Sequence, residues 1–263
     1  MSDRRQRQKE RRIAKREAER KRDARGELFR RLGTALVFGL IVVGIFVFGG
    51  IFGDDSGGDL PASYEDYREQ TTACGAEQPP AEQVLTFAAP EEQTDIGESS
   101  VVTATISTSC GDIVMELNNS GAPETVNSFV FLAREGFYDG QVLHRIAPNF
   151  VFQGGDPSAN GTGSPGYVVP DEFPDDGFEY EEGVVAMANR GARSTGSQFF
   201  VVTGENGRFL TNSFSVLGRV VEGEDTIERI MAVPTAQAPG SAERSLPLES
   251  VYITGIDIQI SDS

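Results

Sequence analysis

The chain has 263 residues, enough for one domain of ordinary size with extensions or for two small domains. Its formal net charge of −17 combines a basic head with an acidic body: residues 1–31 hold 14 Lys and Arg against 6 acids, and the rest holds 9 Arg against 34 acids. Because phosphate backbones repel so acidic a body, nucleic acid is not an expected partner.

Residues 32–52 form an uncharged and mostly apolar run between two arginines and two aspartates. As a helix this run would be about 30 Å long, which matches the hydrocarbon core of a bilayer. The alternatives are a buried core helix, which would normally carry a polar stripe, and a cleaved signal peptide, which would have a shorter apolar region and a small-residue cleavage site. The run therefore predicts a retained transmembrane helix.

The basic excess before this helix predicts its orientation. Residues 1–31 would lie in the cytoplasm as a solvated segment close to anionic lipid heads, and the acidic body would lie outside the cytoplasm. The expected location is thus the cell membrane, crossed once.

Residues 53–100 are rich in Gly, Pro, Ser, Thr and acids, a composition typical of a linker. Cys74 lies inside this linker, and Cys110 lies near the start of the body. In an oxidising compartment the two could form a disulfide that holds the linker on the domain; the alternative is two unrelated thiols. A zinc site is not expected, because two cysteines and one histidine supply too few ligands.

From residue 101 to about 260, short apolar runs alternate with turn residues. Helices are predicted from the Pro123 region to Gly136 and at 225–231 with Asp225 as cap, and a hairpin turn at Gly111-Asp112. The predicted strands are 101–109, 113–117, 142–146, 150–153, 184–188, 198–203, 215–221 and 250–258. This pattern predicts a mainly β fold: a closed eight-stranded antiparallel β-barrel capped by two α-helices.

Three blocks carry the most specific information. They are Val-Leu-His-Arg-Ile-Ala-Pro-Asn-Phe-Val-Phe-Gln-Gly-Gly-Asp at 142–156, Ala-Met-Ala-Asn at 186–189 and Gly-Ser-Gln-Phe-Phe at 196–200. With their order and spacing, residues 101–258 closely resemble the cyclophilin family. The arrangement of anchor, acidic linker and domain is also similar to that of membrane-anchored cyclophilins of actinobacteria.

The resemblance implies a peptidyl-prolyl cis/trans isomerase, acting on proline-containing polypeptides, that assists the folding of exported or cell-envelope proteins. Arg145 would stabilise the twisted X-Pro amide without covalent chemistry, metal or cofactor. Substrate would be bound by Phe150, Val151, Gln153, Ala188, Asn189, Gln198, Phe200, Phe209, Leu210 and Phe214. The expected oligomeric state is a monomer.

The residues themselves also allow purely structural roles. The aromatic side chains could simply be barrel core, and Arg145 could be a surface arginine in an ion pair. A protein that only binds proline-containing segments is a second functional hypothesis. His144, the single histidine, is interpreted as structural, because no Gly-x-Ser-x-Gly motif accompanies it as a hydrolase would require.

Two positions depart from the family pattern. Phe209 stands where many cyclophilins have a tryptophan on the rim of the pocket, so an indole N–H is missing and strong cyclosporin binding is in doubt. Phe214 replaces a common histidine or tyrosine, which predicts a more apolar pocket.

Overall fold

The computed structural model describes residues 60–97 and 99–262. Within these residues the helices are α1 (Tyr64–Glu69), α2 (Pro123–Arg134) and α3 (Glu224–Met231), with 3-10 turns at Ala73–Gly75 and Glu205–Phe209. The strands are β1 (Ser100–Thr108), β2 (Gly111–Leu117), β3 (Arg145–Ala147), β4 (Val151–Gly154), β5 (Val184–Met187), β6 (Phe199–Val202), β7 (Val216–Glu222), β8 (Thr235–Gln237), β9 (Arg244–Pro247) and β10 (Ile253–Asp262).

Eight strands form one antiparallel sheet in the order β10-β1-β2-β7-β5-β6-β4-β3. The prediction of a closed barrel was wrong: β3 and β10 are the two edges, and the described residues contain no ladder between them. The reason is the length of β3, whose three residues pair only with β4. Residues 140–143, which precede β3, instead exchange backbone hydrogen bonds with 251–253. The sheet is an open half-barrel.

The first hairpin follows from strict alternation. Every second residue of β1 is buried, from Val102 through Ile106, and Ile113, Met115 and Leu117 of β2 point to the same interior. The turn between these strands is Ser109-Cys110, so the residues predicted as the turn already belong to β2.

Helix α2 covers the interior of the half-barrel. It begins at Pro123, whose fixed φ and missing N–H suit the first helical position, and its buried face includes Val126, Phe129 and Val130. Each of these fully buried side chains contributes roughly 1.5–3 kcal/mol. The predicted second helix, α3, begins one residue earlier than expected: Gly223, with φ 108°, precedes it, and Asp225 lies in its first turn without capping it.

A second, two-stranded sheet pairs β8 with β9. This hairpin was not among the predicted elements. Its strands have three and four residues, and the connection between them is rich in Ala, Gly, Ser and Pro, so no alternating apolar pattern marks it.

Residues 60–97, which we call the strap, pack against the domain although they were predicted as part of a linker. Helix α1 starts with a capping box formed by Ser63 and Asp66. Tyr67 is only 1% exposed, and its hydroxyl donates to the backbone oxygen of His144 at 3.1 Å. Cys74 forms a disulfide with Cys110, with a Cα separation of 5.2 Å.

The basic head at 1–31 and the predicted transmembrane helix at 32–52 lie outside the described residues. Among the residues that are described, no helix combines the length and the apolar character needed to cross a bilayer.

Candidate functional site

Sheet register places the main candidate residues in one row. Arg145 of β3 lies opposite Gln153 of β4, Gln153 opposite Phe200 of β6, and Phe200 opposite Ala186 of β5. Directly opposed residues of an antiparallel pair project from the same face of a sheet. The guanidinium, the amide and the aromatic ring therefore share a face, as a site built on rigid strands requires.

The apolar part of the site is a cluster on this side of the sheet, separate from the core under α2. Of the predicted pocket residues, Val151, Ala188 and Phe200 are buried in it, and Phe150, Leu210 and Phe214 pack against it half-buried. Phe200 and Phe214 meet edge to face, with ring centroids 5.4 Å apart. Partial exposure of these rings leaves apolar surface available to a ligand.

Phe209, by contrast, is 56% exposed and does not belong to this cluster. Its ring lies under the guanidinium of Arg208, at 5.2 Å from Cζ to the ring centroid. The structure thus places it beside Leu210 in the chain but outside the packed aromatic group, and its role at the rim stays a prediction.

A chain of polar side chains runs from Arg145 across the sheet. Nη1 of Arg145 donates to Oε1 of Gln153 at 3.3 Å, and Nε2 of Gln153 donates to Oε1 of Gln198 at 3.0 Å. Nε2 of Gln198 then donates to the backbone oxygen of Gly163 at 3.1 Å. Both glutamines are buried, so these bonds fix the orientation of their amides.

Asn189 contacts a neighbouring loop, and its predicted contact with the substrate stays a prediction. Its Nδ2 donates to the backbone oxygen of Ser213 at 2.7 Å, next to Phe214. The backbone N–H of Ala188 donates to the oxygen of Gln198 at 2.8 Å. In this structure both positions therefore hold the loops that carry the site.

Two residues of the site were not predicted. The hydroxyl of Tyr180 donates to the backbone oxygen of Phe214 at 2.6 Å, and its ring lies 6.2 Å from that of Phe214. Glu243 binds Arg145 through both carboxylate oxygens: Nε donates to Oε2 at 2.8 Å and Nη2 to Oε1 at 2.6 Å.

The ion pair is largely shielded from solvent, with side-chain exposures of 13% for Arg145 and 18% for Glu243. Burial alone would raise the pKa of Glu243, but hydrogen bonds and charge from Arg145, together with a hydrogen bond to Ser245, lower that pKa below its ordinary value. Glu243 is therefore ionised at neutral pH. The guanidinium also lies over the ring of Phe150, at 5.3 Å from Cζ to the centroid.

His144 is buried directly before Arg145, and its Nδ1 has no hydrogen-bond partner within residues 60–97 and 99–262. Burial lowers the pKa of this imidazole, and the nearby Arg145 lowers it further, against the opposing effect of Asp156. Over the same residues no group of three or more His, Cys, Asp or Glu side chains is placed to hold a metal ion.

Comparison with known proteins identifies the arrangement. Residues 103–257 match the family model described as cyclophilin type peptidyl-prolyl cis-trans isomerase/CLD. The chain is 40% identical over 152 residues to peptidyl-prolyl cis-trans isomerase-like 1 of Gibberella zeae, covering 56% of this chain and 89% of that protein. It is 37% identical over 174 residues to peptidyl-prolyl cis-trans isomerase B of Streptomyces anulatus, covering 59% and 95%.

Solved structures that are similar to this chain are of the same type of protein. A crystal structure of a cyclophilin type peptidyl-prolyl cis-trans isomerase from Cryptosporidium parvum is similar with a TM-score of 0.55 and 26% identity, over 62% of this chain and 99% of that one. A second crystal structure of that protein, in the presence of the dipeptide Ala-Pro, has a TM-score of 0.54 with 26% identity, over 60% and 98%.

Proposed function

Since the chain belongs to the family of cyclophilin-type peptidyl-prolyl cis/trans isomerases, we propose that it catalyses rotation about X-Pro bonds in exported or cell-envelope proteins, with Arg145 as the essential donor. The substrates are proline-containing polypeptides. A related structure obtained with the dipeptide Ala-Pro supports this substrate class.

Rotation about an X-Pro bond is slow because amide resonance must be broken, at a barrier of about 18–20 kcal/mol. In the twisted state the proline nitrogen regains a lone pair, and a donor directed at that nitrogen binds the twisted state better than either planar isomer. A guanidinium serves well, because it stays charged at every physiological pH and has several N–H groups.

One observation carries the proposal: Arg145 and Phe200 share a face of the sheet across Gln153, so a cationic donor lies beside an apolar aromatic cluster. The proline ring would enter among Phe150, Phe200 and Phe214, and the amide at its nitrogen would face the guanidinium. Gln153 and Gln198, held by their mutual hydrogen bond, would keep the donor oriented.

The test is the isomerisation rate of a proline-containing peptide, measured with the full chain in detergent. Arg145→Ala is expected to lower kcat/KM by about 100-fold or more, the typical result of removing one transition-state donor. Arg134→Ala is a matched control, because Arg134 is also paired with a carboxylate but lies on α2, away from the site. Equal rates for wild type and Arg145→Ala would refute the role of Arg145.

The cellular location belongs to the same proposal. The apolar run at 32–52 and the basic segment before it support a single membrane crossing with the isomerase domain outside the cytoplasm. Protease added to intact cells, or to spheroplasts where an outer barrier exists, should degrade the domain and spare residues 1–31. Protection of the domain under both conditions would contradict this orientation.

A further inference from the structure

The hydrogen bonds of Arg145 divide its guanidinium into an occupied and an open part. A guanidinium has five N–H donors. Nε and Nη2 each use one on Glu243, and Nη1 uses one on Gln153. Two N–H groups, one on each terminal nitrogen, have no acceptor in the described part of the chain and can reach a substrate.

Glu243 is the stronger of the two anchors. Its two contacts with Arg145 are 2.6 and 2.8 Å long and parallel, whereas the contact with Gln153 is a single one of 3.3 Å. A bidentate arginine–carboxylate pair fixes the plane of the guanidinium as well as its position. Because an arginine side chain otherwise has about 2 kcal/mol of rotamer entropy, a single long hydrogen bond would hold it poorly.

Glu243 is itself well placed to act as an anchor. It lies at the end of the connection between β8 and β9, and its backbone N–H donates to the hydroxyl of Ser241 at 3.0 Å. The ion pair is mostly buried, so water and salt screen it less than a surface pair. An unpredicted hairpin thus supplies the main polar partner of the residue on which catalysis depends.

We propose that Glu243 is a positioning residue for the isomerase site: its carboxylate fixes the plane of the Arg145 guanidinium so that the two open N–H groups face the twisted amide. This inference rests on the role proposed above for Arg145. Orientation of a donor matters mainly in the transition state, so loss of Glu243 should lower kcat and leave KM nearly unchanged.

The first test compares Glu243→Gln with wild type in the full chain. Glutamine keeps the shape of the side chain but offers one acceptor oxygen in place of two and no charge. We expect kcat to fall about tenfold with KM changed less than about twofold, since misplacing a catalytic group costs this much or more. Glu243→Asp, which keeps the charge, should recover part of kcat. Asp95→Asn is the matched control, because it breaks the bidentate pair with Arg134 far from the site.

The second test repeats Glu243→Gln in the Arg145→Ala background. If Glu243 acts through Arg145, the double variant should be as slow as Arg145→Ala alone, which is complete coupling in a double-mutant cycle. A further loss in that background, or a raised KM with unchanged kcat, would show that Glu243 acts on peptide binding or on the hairpin, and would overturn the inference.

The outcomes also separate the two proposals. Wild-type kinetics for Glu243→Gln together with an inactive Arg145→Ala would overturn the positioning role and leave the proposed function intact, whereas an active Arg145→Ala would overturn the proposed function. If thermal unfolding shows that Glu243→Gln does not fold, Glu243→Asp is judged in its place. Its kcat must then fall at constant KM, and only when Arg145 is present.

Discussion

The strap and the sheet domain are stable for different reasons. In the domain, residues 100–262, each strand is paired on at least one side and the interior is filled by alternating apolar residues. The strap has one helix of six residues and is attached at separate points, which include Tyr64, Tyr67, Ala73, the disulfide, Phe87 and the ion pair of Asp95 with Arg134. Stability spread over many contacts is difficult to assign to single residues, whereas each attachment of the strap can be removed and measured.

The disulfide should be the strongest of these attachments. Replacing Cys74 and Cys110 together by serine removes a cross-link between residues 36 apart in sequence, which should lower the free energy of unfolding by about 4 kcal/mol. Urea unfolding of the variant, and of wild type after reduction, would measure the loss. An unchanged urea midpoint in both would mean that the strap is held without the cross-link.

Glu82 should make the free energy of unfolding depend on pH, with an effect smaller than that of the disulfide and larger than that of Tyr67→Phe. Burial raises the pKa of its carboxyl from 4.5 to about 8, and the negative charges of Asp156 and Glu65 add to the effect. The folded state therefore holds this proton more tightly than the unfolded state. The stability that Glu82 contributes is fully present below pH 4.5 and is lost as pH rises through about 8.

Because the carboxyl is partly exposed, we discount the full linkage and expect a loss of about 2 kcal/mol across that range. The difference in unfolding free energy between wild type and Glu82→Gln, followed from pH 5 to 9, isolates this group. Glu77→Gln is the matched control, because Glu77 is an exposed carboxylate of the same strap. Parallel pH curves for wild type and Glu82→Gln would contradict the expectation.

Tyr67→Phe should have the smallest effect. It removes only the hydroxyl that donates to the backbone oxygen of His144, and one such hydrogen bond is worth about 1 kcal/mol. Tyr64→Phe is the comparison, because that hydroxyl donates to the oxygen of Gly140 and also accepts from the backbone N–H of Glu82. Urea unfolding should therefore show a larger loss for Tyr64→Phe than for Tyr67→Phe. A loss from Tyr67→Phe larger than that from the disulfide variant would reverse the ranking.

Much of the domain could be predicted from its sequence because its signals are local. Strict alternation marked β1 and β2, and a proline at the start with apolar residues at helical spacing marked α2. The family motif likewise identified Arg145, Gln153 and Phe200, which the sheet register then brought together. Local patterns could not predict whether the barrel closes, because closure depends on whether the edge strands β3 and β10, which are distant in sequence, pair with each other.

The missed features depend on contacts between residues far apart in the chain. Glu243 is one of many acids in this chain and lies 98 residues from Arg145, so no local pattern distinguishes it. The strap has the composition of a linker, and only its tertiary contacts show otherwise. Its cysteine was the one signal: Cys74 predicted a disulfide to Cys110 but left open whether the linker packs on the domain.

The buried position of Ala73 determines where this chain can be cut for expression. A recombinant fragment that starts at residue 101 would uncover the core surface that Ala73 and Phe87 occupy and would leave Cys110 as an unpaired thiol. A fragment that starts at Leu60 keeps that surface covered and the thiol paired, so this longer fragment is the one that we expect to remain monodisperse after purification. Relatives matched only over the catalytic domain are consequently poor guides to its boundaries in this protein.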